Sequence, residues 1–128
     1  RYIYVDNGRE SVRRRIPGVL HTVNPVANDV CPIYKENTRE YSLLKSEHFG
    51  TLLMMEVGAL MVGKIENRPV MSHVRRGQEK GNFAFGGSTI IYMTQKDKVF
   101  PDMDILINSA DGIETKVQIG SRIGKGKN

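Results

Sequence analysis

The chain has 128 residues, of which 39% are hydrophobic and 26% are charged, and its formal net charge is +5 at pH 7. This composition is that of a small globular domain and excludes an intrinsically disordered tail. The single cysteine, Cys31, excludes an internal disulfide and has no second cysteine or histidine at metal-ligand spacing, so we interpret it as structural. The chain begins at Arg1, with no methionine and no signal-peptide pattern, so we expect it to be a fragment or a processed piece of a longer protein.

Much of the positive charge lies near the start of the chain, in Arg9, Arg13, Arg14 and Arg15, with Glu10 the one acid among them. Such a patch could attract nucleic acid, an acidic protein or an anionic lipid surface, although a solvated charged loop is the simpler interpretation. The sequence has no helix-turn-helix, zinc-finger or RNA-binding signature. We therefore predict no nucleic-acid partner.

Short β-prone segments alternate with turn residues along the chain. Strands are predicted at residues 2–5, 19–23 and 41–44, and a hairpin at residues 46–50 leads into an apolar stretch at residues 51–65. That stretch is shorter than the ~20 residues of a membrane span. Gly58 and Gly63 favour two strands with a bend near Gly58 over one helix. No segment keeps a 3.6-residue period, so the predicted fold is mainly β with few or no helices.

Residues 74–81 and 117–124 share the pattern Val-x-x-Gly-x-x-x-Gly. The first glycine of the pattern suits a turn with positive φ, and the second suits a tight corner. The same turn and corner occur in the hammerhead domains that carry biotin or lipoyl groups. The repeat therefore favours a small barrel-sandwich domain of short strands.

Residues 81–93 read Gly-Asn-Phe-Ala-Phe-Gly-Gly-Ser-Thr-Ile-Ile-Tyr-Met, two β-prone runs around the glycine pair Gly86 and Gly87. Glycines within β-rich sequence mark a bulge, a bend or a close approach to the backbone. The simplest interpretation is a hairpin turn at the glycine pair, with Ser88 at the start of the next strand. Because the glycines lead directly into two hydroxyl side chains, Ser88 and Thr89, Ser88 is also the first candidate for chemistry.

Four segments, in the same order, resemble the phosphatidylserine decarboxylase family. They are Gly-Val-Leu-His-Thr-Val-Asn-Pro at residues 18–25, Glu-Asn-Thr-Arg-Glu at 36–40, Val-Gly-Ala-Leu-Met-Val-Gly-Lys-Ile at 57–65, and the run from Arg-Gly-Gln-Glu-Lys-Gly to Phe-Gly-Gly-Ser-Thr-Ile at 76–90. In that family the Gly-Ser bond cuts itself and the serine becomes an N-terminal pyruvoyl group. The resemblance implies a single domain, residues 1–128, that self-cleaves between Gly87 and Ser88 into residues 1–87 and 88–128.

The chemistry that the resemblance implies begins with attack of the Ser88 hydroxyl on the Gly87 carbonyl, which replaces the amide with an ester. Elimination and hydrolysis then leave a pyruvoyl group at position 88. Its carbonyl would condense with the substrate amine and withdraw electrons as carbon dioxide departs, without a metal or pyridoxal phosphate. The implied enzyme is a carboxy-lyase that converts phosphatidylserine to phosphatidylethanolamine. Another amine substrate is the alternative, because pyruvoyl decarboxylases of related fold accept other amines.

Further site residues follow from the matching segments. Gly86, Thr89 and Glu56 are candidates for the substrate pocket, and His21 is the candidate for proton transfer, with a structural histidine as the alternative. Glu56 lies inside an apolar run and must be paired, protonated or functional, and we favour a paired structural carboxylate. The other two histidines are predicted to lie at the surface: His48 and His73.

One feature of the family is absent from the chain. The processing base of the family is a histidine in an Asp-Tyr-His motif, which lies just before sequence resembling Arg1-Tyr2 and is oriented by an aspartate farther upstream. We therefore interpret the chain as the C-terminal part of a longer proenzyme and expect slow or absent maturation without the upstream part.

The resemblance also implies partners. These are the upstream part of the proenzyme, phosphatidylserine and a membrane surface, with a peripheral location at the cytoplasmic face, and a homodimer is compatible with it. The alternative function is a non-catalytic barrel-sandwich binding or carrier module. A carrier would need a modified lysine at a hairpin tip, for which Lys64 and Lys96 are poor matches.

Overall fold

The computed structural model describes residues 1–18, 37–58, 64–84 and 88–127. Within these ranges the chain forms short strands and one helix: β1 Tyr2–Ile3, β2 Gly8–Glu10, β3 Arg14–Ile16, β4 Arg39–Ser46, β5 Thr51–Val57, β6 Ile65–Asn67, β7 His73–Val74, β8 Glu79–Phe83, β9 Thr89–Thr94, β10 Val99–Pro101, α1 Met103–Ala110 and β11 Gly124–Gly126. The prediction of a mainly β domain with few helices is confirmed. The strand predicted at residues 19–23, Cys31 and His21 lie outside the described residues.

The strands form three antiparallel sheets. The largest has the order β7-β2-β4-β5-β9, with β3 also paired with β4, the second has the order β1-β8-β6, and the third consists of β10 and β11. Across the described ranges these sheets do not close into a barrel.

The β4–β5 hairpin is the centre of the large sheet. Leu44 is paired with Leu52 and Ser42 with Met54, so these four side chains lie on one face, and all four are buried. Tyr4 and Val74 complete this apolar core. The hairpin and the strand at residues 41–44 are thus confirmed, because alternation and a short polar turn are local signals.

The apolar stretch after the hairpin does not continue as one sheet. β5 ends at Val57, next to the predicted bend at Gly58, and the following described strand, β6, begins at Ile65 in the second sheet. A change of sheet near a glycine agrees with the predicted break between two strands.

The glycines of the Val-x-x-Gly-x-x-x-Gly pattern have similar backbone features in both copies. Both first glycines have positive φ, +81° at Gly77 and +86° at Gly120. Both second glycines lie in close antiparallel pairs, and a Cβ atom would come within 2.6 Å of the Glu66 carbonyl oxygen at Gly81 and within 2.7 Å of a backbone oxygen at Gly124. The turn predicted for the first position is confirmed. The second position shows a close approach of backbones, within β8 at Gly81 and at the start of β11 at Gly124, and the tight corner stays a prediction.

The helix α1 was not predicted. It is eight residues long and none of its residues is buried, so it lacks the buried apolar stripe that a 3.6-residue period would reveal. Asp104 in its first turn has the charge that the helix dipole favours.

The arginine cluster is not a loop. Arg9 lies in β2, Arg14 and Arg15 lie in β3, and the side chain of Arg13 is only 10% exposed because its Nε is 3.1 Å from Glu10 Oε1. The interpretation of this segment as a solvated charged loop is wrong, because both strands pair with β4.

A buried carboxylate, Asp6, joins three connections between strands. It accepts hydrogen bonds from the hydroxyl of Ser46, from the backbone and ring nitrogens of His48 at 2.9 Å, and from the Arg76 guanidinium at 2.9 Å. Burial by itself would raise the pKa of Asp6, but these donors outweigh it and hold the pKa well below its usual value. Asp6 therefore stabilises the fold in its ionised form.

We expect Asp6→Asn to destabilise the full-length protein by about 2 kcal/mol at pH 7, because an amide cannot satisfy all of these donors. The lowered pKa sets the sign of the pH dependence. The contribution of Asp6 is complete above the unfolded carboxyl pKa of about 4 and is lost as the pH falls below that value. Urea unfolding at several pH values checks this, with exposed Asp111→Asn as the control. A deficit in Asp6→Asn that stays constant into strong acid would contradict this account.

Candidate active site

The candidate cleavage site lies where the chain passes from one sheet to another. β8 ends at Phe83 and pairs with β1 and β6, whereas β9 begins at Thr89 and pairs with β5. The hairpin interpretation of the glycine pair is therefore wrong, because the strands on its two sides are not partners. Gly86 and Gly87 themselves lie outside the described residues.

Ser88 is held at the end of a long ladder. The β5–β9 ladder runs from the Leu52–Thr94 pair to the Val57–Thr89 pair. Ser88 is the residue next to Thr89 at this second end of the ladder, and it is half-buried. The end of β5 is itself fixed, because the Gly58 amide donates to the Thr38 carbonyl at 2.8 Å. The pairing of β5 with β9 therefore fixes the position of Ser88.

Glu56, two residues before Gly58, is fully paired. Glu56 and Lys80 form a salt bridge in which each side chain is 1% exposed. The Asn67 amide donates to the second oxygen of Glu56 at 3.1 Å and to Glu40 at 2.6 Å. Because Lys80 lies in β8 and Glu56 in β5, the pair joins the second sheet to the large sheet.

The buried network extends from Lys80 to a second carboxylate. Lys80 Nζ is 3.9 Å from Glu10 Oε1, and Glu10 accepts hydrogen bonds from Tyr4 Oη at 2.5 Å and Ser42 Oγ at 2.7 Å. Burial would raise the pKa of Glu10, but donors from Tyr4, Arg13 and Ser42 keep it below its usual value. Burial and the Glu10 carboxylate raise the pKa of Tyr4, which therefore stays a donor.

This network is electrically balanced. Glu10 and Glu56 face Lys80 and Arg13, and no buried side-chain nitrogen or oxygen in the described ranges lacks a hydrogen-bond partner. A carboxylate held in this way is not a free base. The expectation of a paired Glu56 agrees with this geometry.

The Glu56 carboxylate nevertheless affects the pKa of a side chain in β9. Glu56 is paired with Ile90, so Ile90 and Tyr92 share its face of the sheet, whereas Thr89 belongs to the opposite face. Burial, followed by the Glu56 carboxylate, raises the pKa of Tyr92 to about 12. The same alternation predicts Ser88 on the face of Glu56.

The structure brings together only part of the predicted site. Glu56 and the start of β9 are neighbours, Thr89 is half-buried in β9, and His21, Gly86 and Gly87 lie outside the described residues. The pocket roles of Gly86, Thr89 and Glu56 and the proton-transfer role of His21 stay predictions.

The two other histidines are exposed, as predicted. The His48 ring binds Asp6, and His73 Nε2 accepts a hydrogen bond from Arg9 Nε at 3.0 Å. Among the residues that the structure describes, no group of three histidine, cysteine or acidic side chains could hold a metal. The helix in this part of the chain is too short to cross a membrane.

Comparison with known proteins gives the family. The profile of the phosphatidylserine decarboxylases matches residues 1–125. The chain belongs to the phosphatidylserine decarboxylase family. No solved structure matches it.

The relatives are named as proenzymes of this family. Phosphatidylserine decarboxylase proenzyme 2 of Clostridium acetobutylicum is 46% identical over 125 residues, which are 98% of this chain and 43% of that protein. The proenzyme of Clostridium tetani is 46% identical over 127 residues, again 98% and 43% of the two chains. Proenzyme 2 of Oryza sativa subsp. japonica is 44% identical over 112 residues, 85% of this chain and 18% of that one. The chain thus spans 43% of the length of its clostridial relatives.

We predict that Glu56 and Lys80 are energetically coupled. Glu56→Gln or Lys80→Met by itself is expected to cost about 3 kcal/mol, because each leaves a buried charge without its partner. The double variant should cost less than the sum by about 2 kcal/mol. Urea unfolding of the full-length protein measures this cycle.

The chain provides a matched control for this cycle. Lys64 and Glu66 form an ion pair at 3.3 Å, but the Lys64 side chain is 76% exposed. Lys64→Met and Glu66→Gln should leave the stability close to that of the unchanged protein, because solvent screens an exposed ion pair. Strict additivity of the Glu56 and Lys80 variants would show that the buried pair is not a unit.

Proposed function

We propose that this chain carries the pyruvoyl-forming serine of a phosphatidylserine decarboxylase, and that Ser88 is this residue. The observation that carries the proposal is the Gly-Gly-Ser-Thr sequence at the crossing from β8 to β9, within a chain that the family matches over residues 1–125. The whole protein would self-cleave between Gly87 and Ser88 and convert phosphatidylserine to phosphatidylethanolamine.

The position of Ser88 suits a chain break. β8 and β9 are paired with other strands, so a cut between Gly87 and Ser88 breaks no described ladder. Residue 88 would stay in place, because β9 keeps its pairing with β5 and Gln95 Oε1 accepts a hydrogen bond from the Thr51 amide at 3.0 Å. A new N-terminal group at position 88 would therefore be held at the edge of the sheet.

The first step is an acyl shift within the chain. The Ser88 hydroxyl adds to the Gly87 carbonyl, the C–N bond breaks, and the released amine takes the proton, which leaves an ester. Elimination then frees the Gly87 carboxylate, and hydrolysis of the nitrogen-bearing end releases ammonia. A pyruvoyl group supplies an electron-withdrawing carbonyl that stabilises the carbanion formed when carbon dioxide leaves.

The other residues have supporting roles in this proposal. His21 moves a proton, and Gly86 and Thr89 line the substrate pocket. Glu56 contributes its negative charge on the face of the sheet where Ser88 is predicted. It does not act as a free base, because Lys80 and Asn67 donate hydrogen bonds to its two oxygens.

The proposed partners are those of a lipid enzyme. They are phosphatidylserine, the upstream part of the proenzyme, and a membrane that the protein meets peripherally at its cytoplasmic face. A homodimer stays a prediction that a molar-mass measurement on the whole protein would check. The carrier alternative has less support, because the relatives are named decarboxylase proenzymes.

We expect Ser88→Ala in the full-length protein to stay uncut and to lose decarboxylation to background, because the attacking hydroxyl is removed. Intact-mass spectrometry and release of carbon dioxide from labelled phosphatidylserine measure the two effects. Thr94→Ala, which removes an exposed hydroxyl from the other end of β9, should mature and react normally. A folded, uncut protein that still releases carbon dioxide would refute the pyruvoyl mechanism.

A further inference from the structure

The large sheet has a second face, opposite the core, which we call the outer face. Two apolar rows cross it where β4, β5 and β9 are paired. The members of these rows are Tyr41, Met55 and Ile91 in one, and Leu43, Leu53 and Met93 in the other. Leu43 is 43% exposed and Met93 is 56% exposed, and the other four members are half-buried. An apolar surface that crosses three strands is typical of a binding face.

Cations surround these rows. Arg14 is paired with Tyr41 at one end of the first row, Arg9 is paired with Lys45 beside the second, and Arg39 is paired with Val57. By strand alternation these four cations belong to the outer face. In the described strands β2, β3, β4, β5 and β9, no aspartate or glutamate occupies an outer-face position.

The acids of the same strands belong to the inner face. Glu10 and Glu56 are buried in the network with Lys80, and Glu40 is bound by Asn67. The charged side chains of these strands therefore differ between the two faces: the acids lie on the inner face, where Lys80, Arg13 and Arg15 pair with them, and the charged residues at outer-face positions are all cations.

We propose that the outer face docks on the anionic surface of a phospholipid membrane, an inference that rests on the proposed function and assigns a surface to it. The apolar rows would lie at the boundary of the acyl chains, and Arg9, Arg14 and Lys45 would contact lipid phosphates. A second copy of the chain fits this face poorly, because two copies packed face to face would bring cations against cations.

The geometry also joins this face to the reaction. β9 supplies Ile91 and Met93 to the outer face, and the same strand begins directly after Ser88. Docking would hold the edge of the sheet that carries residue 88 next to the bilayer. A lipid headgroup would then reach residue 88 around the edge of β9, because alternation predicts the Ser88 side chain on the opposite, inner face.

The test uses the full-length protein and two kinds of vesicle, phosphatidylcholine alone and phosphatidylcholine with phosphatidylglycerol. Neither lipid carries the serine headgroup, so binding is separated from catalysis. We expect flotation with the anionic vesicles only, weakened by salt, and a loss of about tenfold or more in Leu43→Asp and in Lys45→Glu.

The C-terminal segment offers matched controls. Leu106 on α1 is 45% exposed, close to the 43% of Leu43, and Lys116 is exposed like Lys45. Leu106→Asp and Lys116→Glu should bind vesicles as the unchanged protein does. Equal binding by all four variants, or equal loss in all four, would overturn the proposal.

Two other occupants of the face would also overturn it, and each has its own readout. If the face joins two copies, Lys45→Glu changes the molar mass in solution without a vesicle-specific effect. If the upstream part of the protein covers the face, Leu43→Asp lowers the melting temperature while Leu106→Asp does not, and Lys45→Glu keeps full vesicle binding.

Failure of the docking proposal can be told from failure of the proposed function. Docking variants should still self-cleave and should still decarboxylate a short-chain phosphatidylserine dissolved as monomers, while they lose activity on vesicles. If the function of Ser88 is wrong, cleavage is absent in every variant, and vesicle binding is unchanged.

Discussion

The buried ion pair between Glu56 and Lys80 sets the geometry on both sides of the candidate cleavage site. Lys80 in β8 ties the second sheet to β5, and the β5–β9 ladder ties the strand after Ser88 to the same β5. Both ends of the short crossing at residues 85–87 are therefore positioned from one strand. Burial of the Glu56 and Lys80 charges is tolerated because Asn67 donates a hydrogen bond to Glu56 and Glu10 lies near Lys80.

Local patterns predicted the parts of the fold that local physics determines. The β4–β5 hairpin follows from alternation and a polar turn, and the repeat predicted positive φ at Gly77 and Gly120. The hairpin at the glycine pair was wrong because partner choice between strands is set by long-range packing. Two β-prone runs around Gly86 and Gly87 have the same local sequence whether they pair with each other or with distant strands.

The sequence predicted some residues of the candidate site and missed others for a related reason. Ser88 was found from glycines next to a hydroxyl pair and from resemblance, and Glu56 was conspicuous as a charge within an apolar run. Lys80 was missed, because it stands in a polar stretch whose neighbours, such as Arg76 and Glu79, reach the surface or its edge. The burial of this lysine follows from long-range packing, in which β8 is the middle strand between β1 and β6 and Lys80 contacts Glu56 of the large sheet.

Alternation along single strands gives the two faces of the large sheet different side-chain chemistry. Inner positions of β2 and β5 hold Glu10 and Glu56, which Arg13 and Lys80 neutralise inside the fold, and the inner position of β4 holds Glu40, which is paired with Arg15. Outer positions of the same strands hold apolar side chains together with arginine and lysine, and no acid. Because a shift of one residue in pairing would exchange the two faces, the exact pairing of β5 with β9 determines both the surroundings of Ser88 and the chemistry of the outer face.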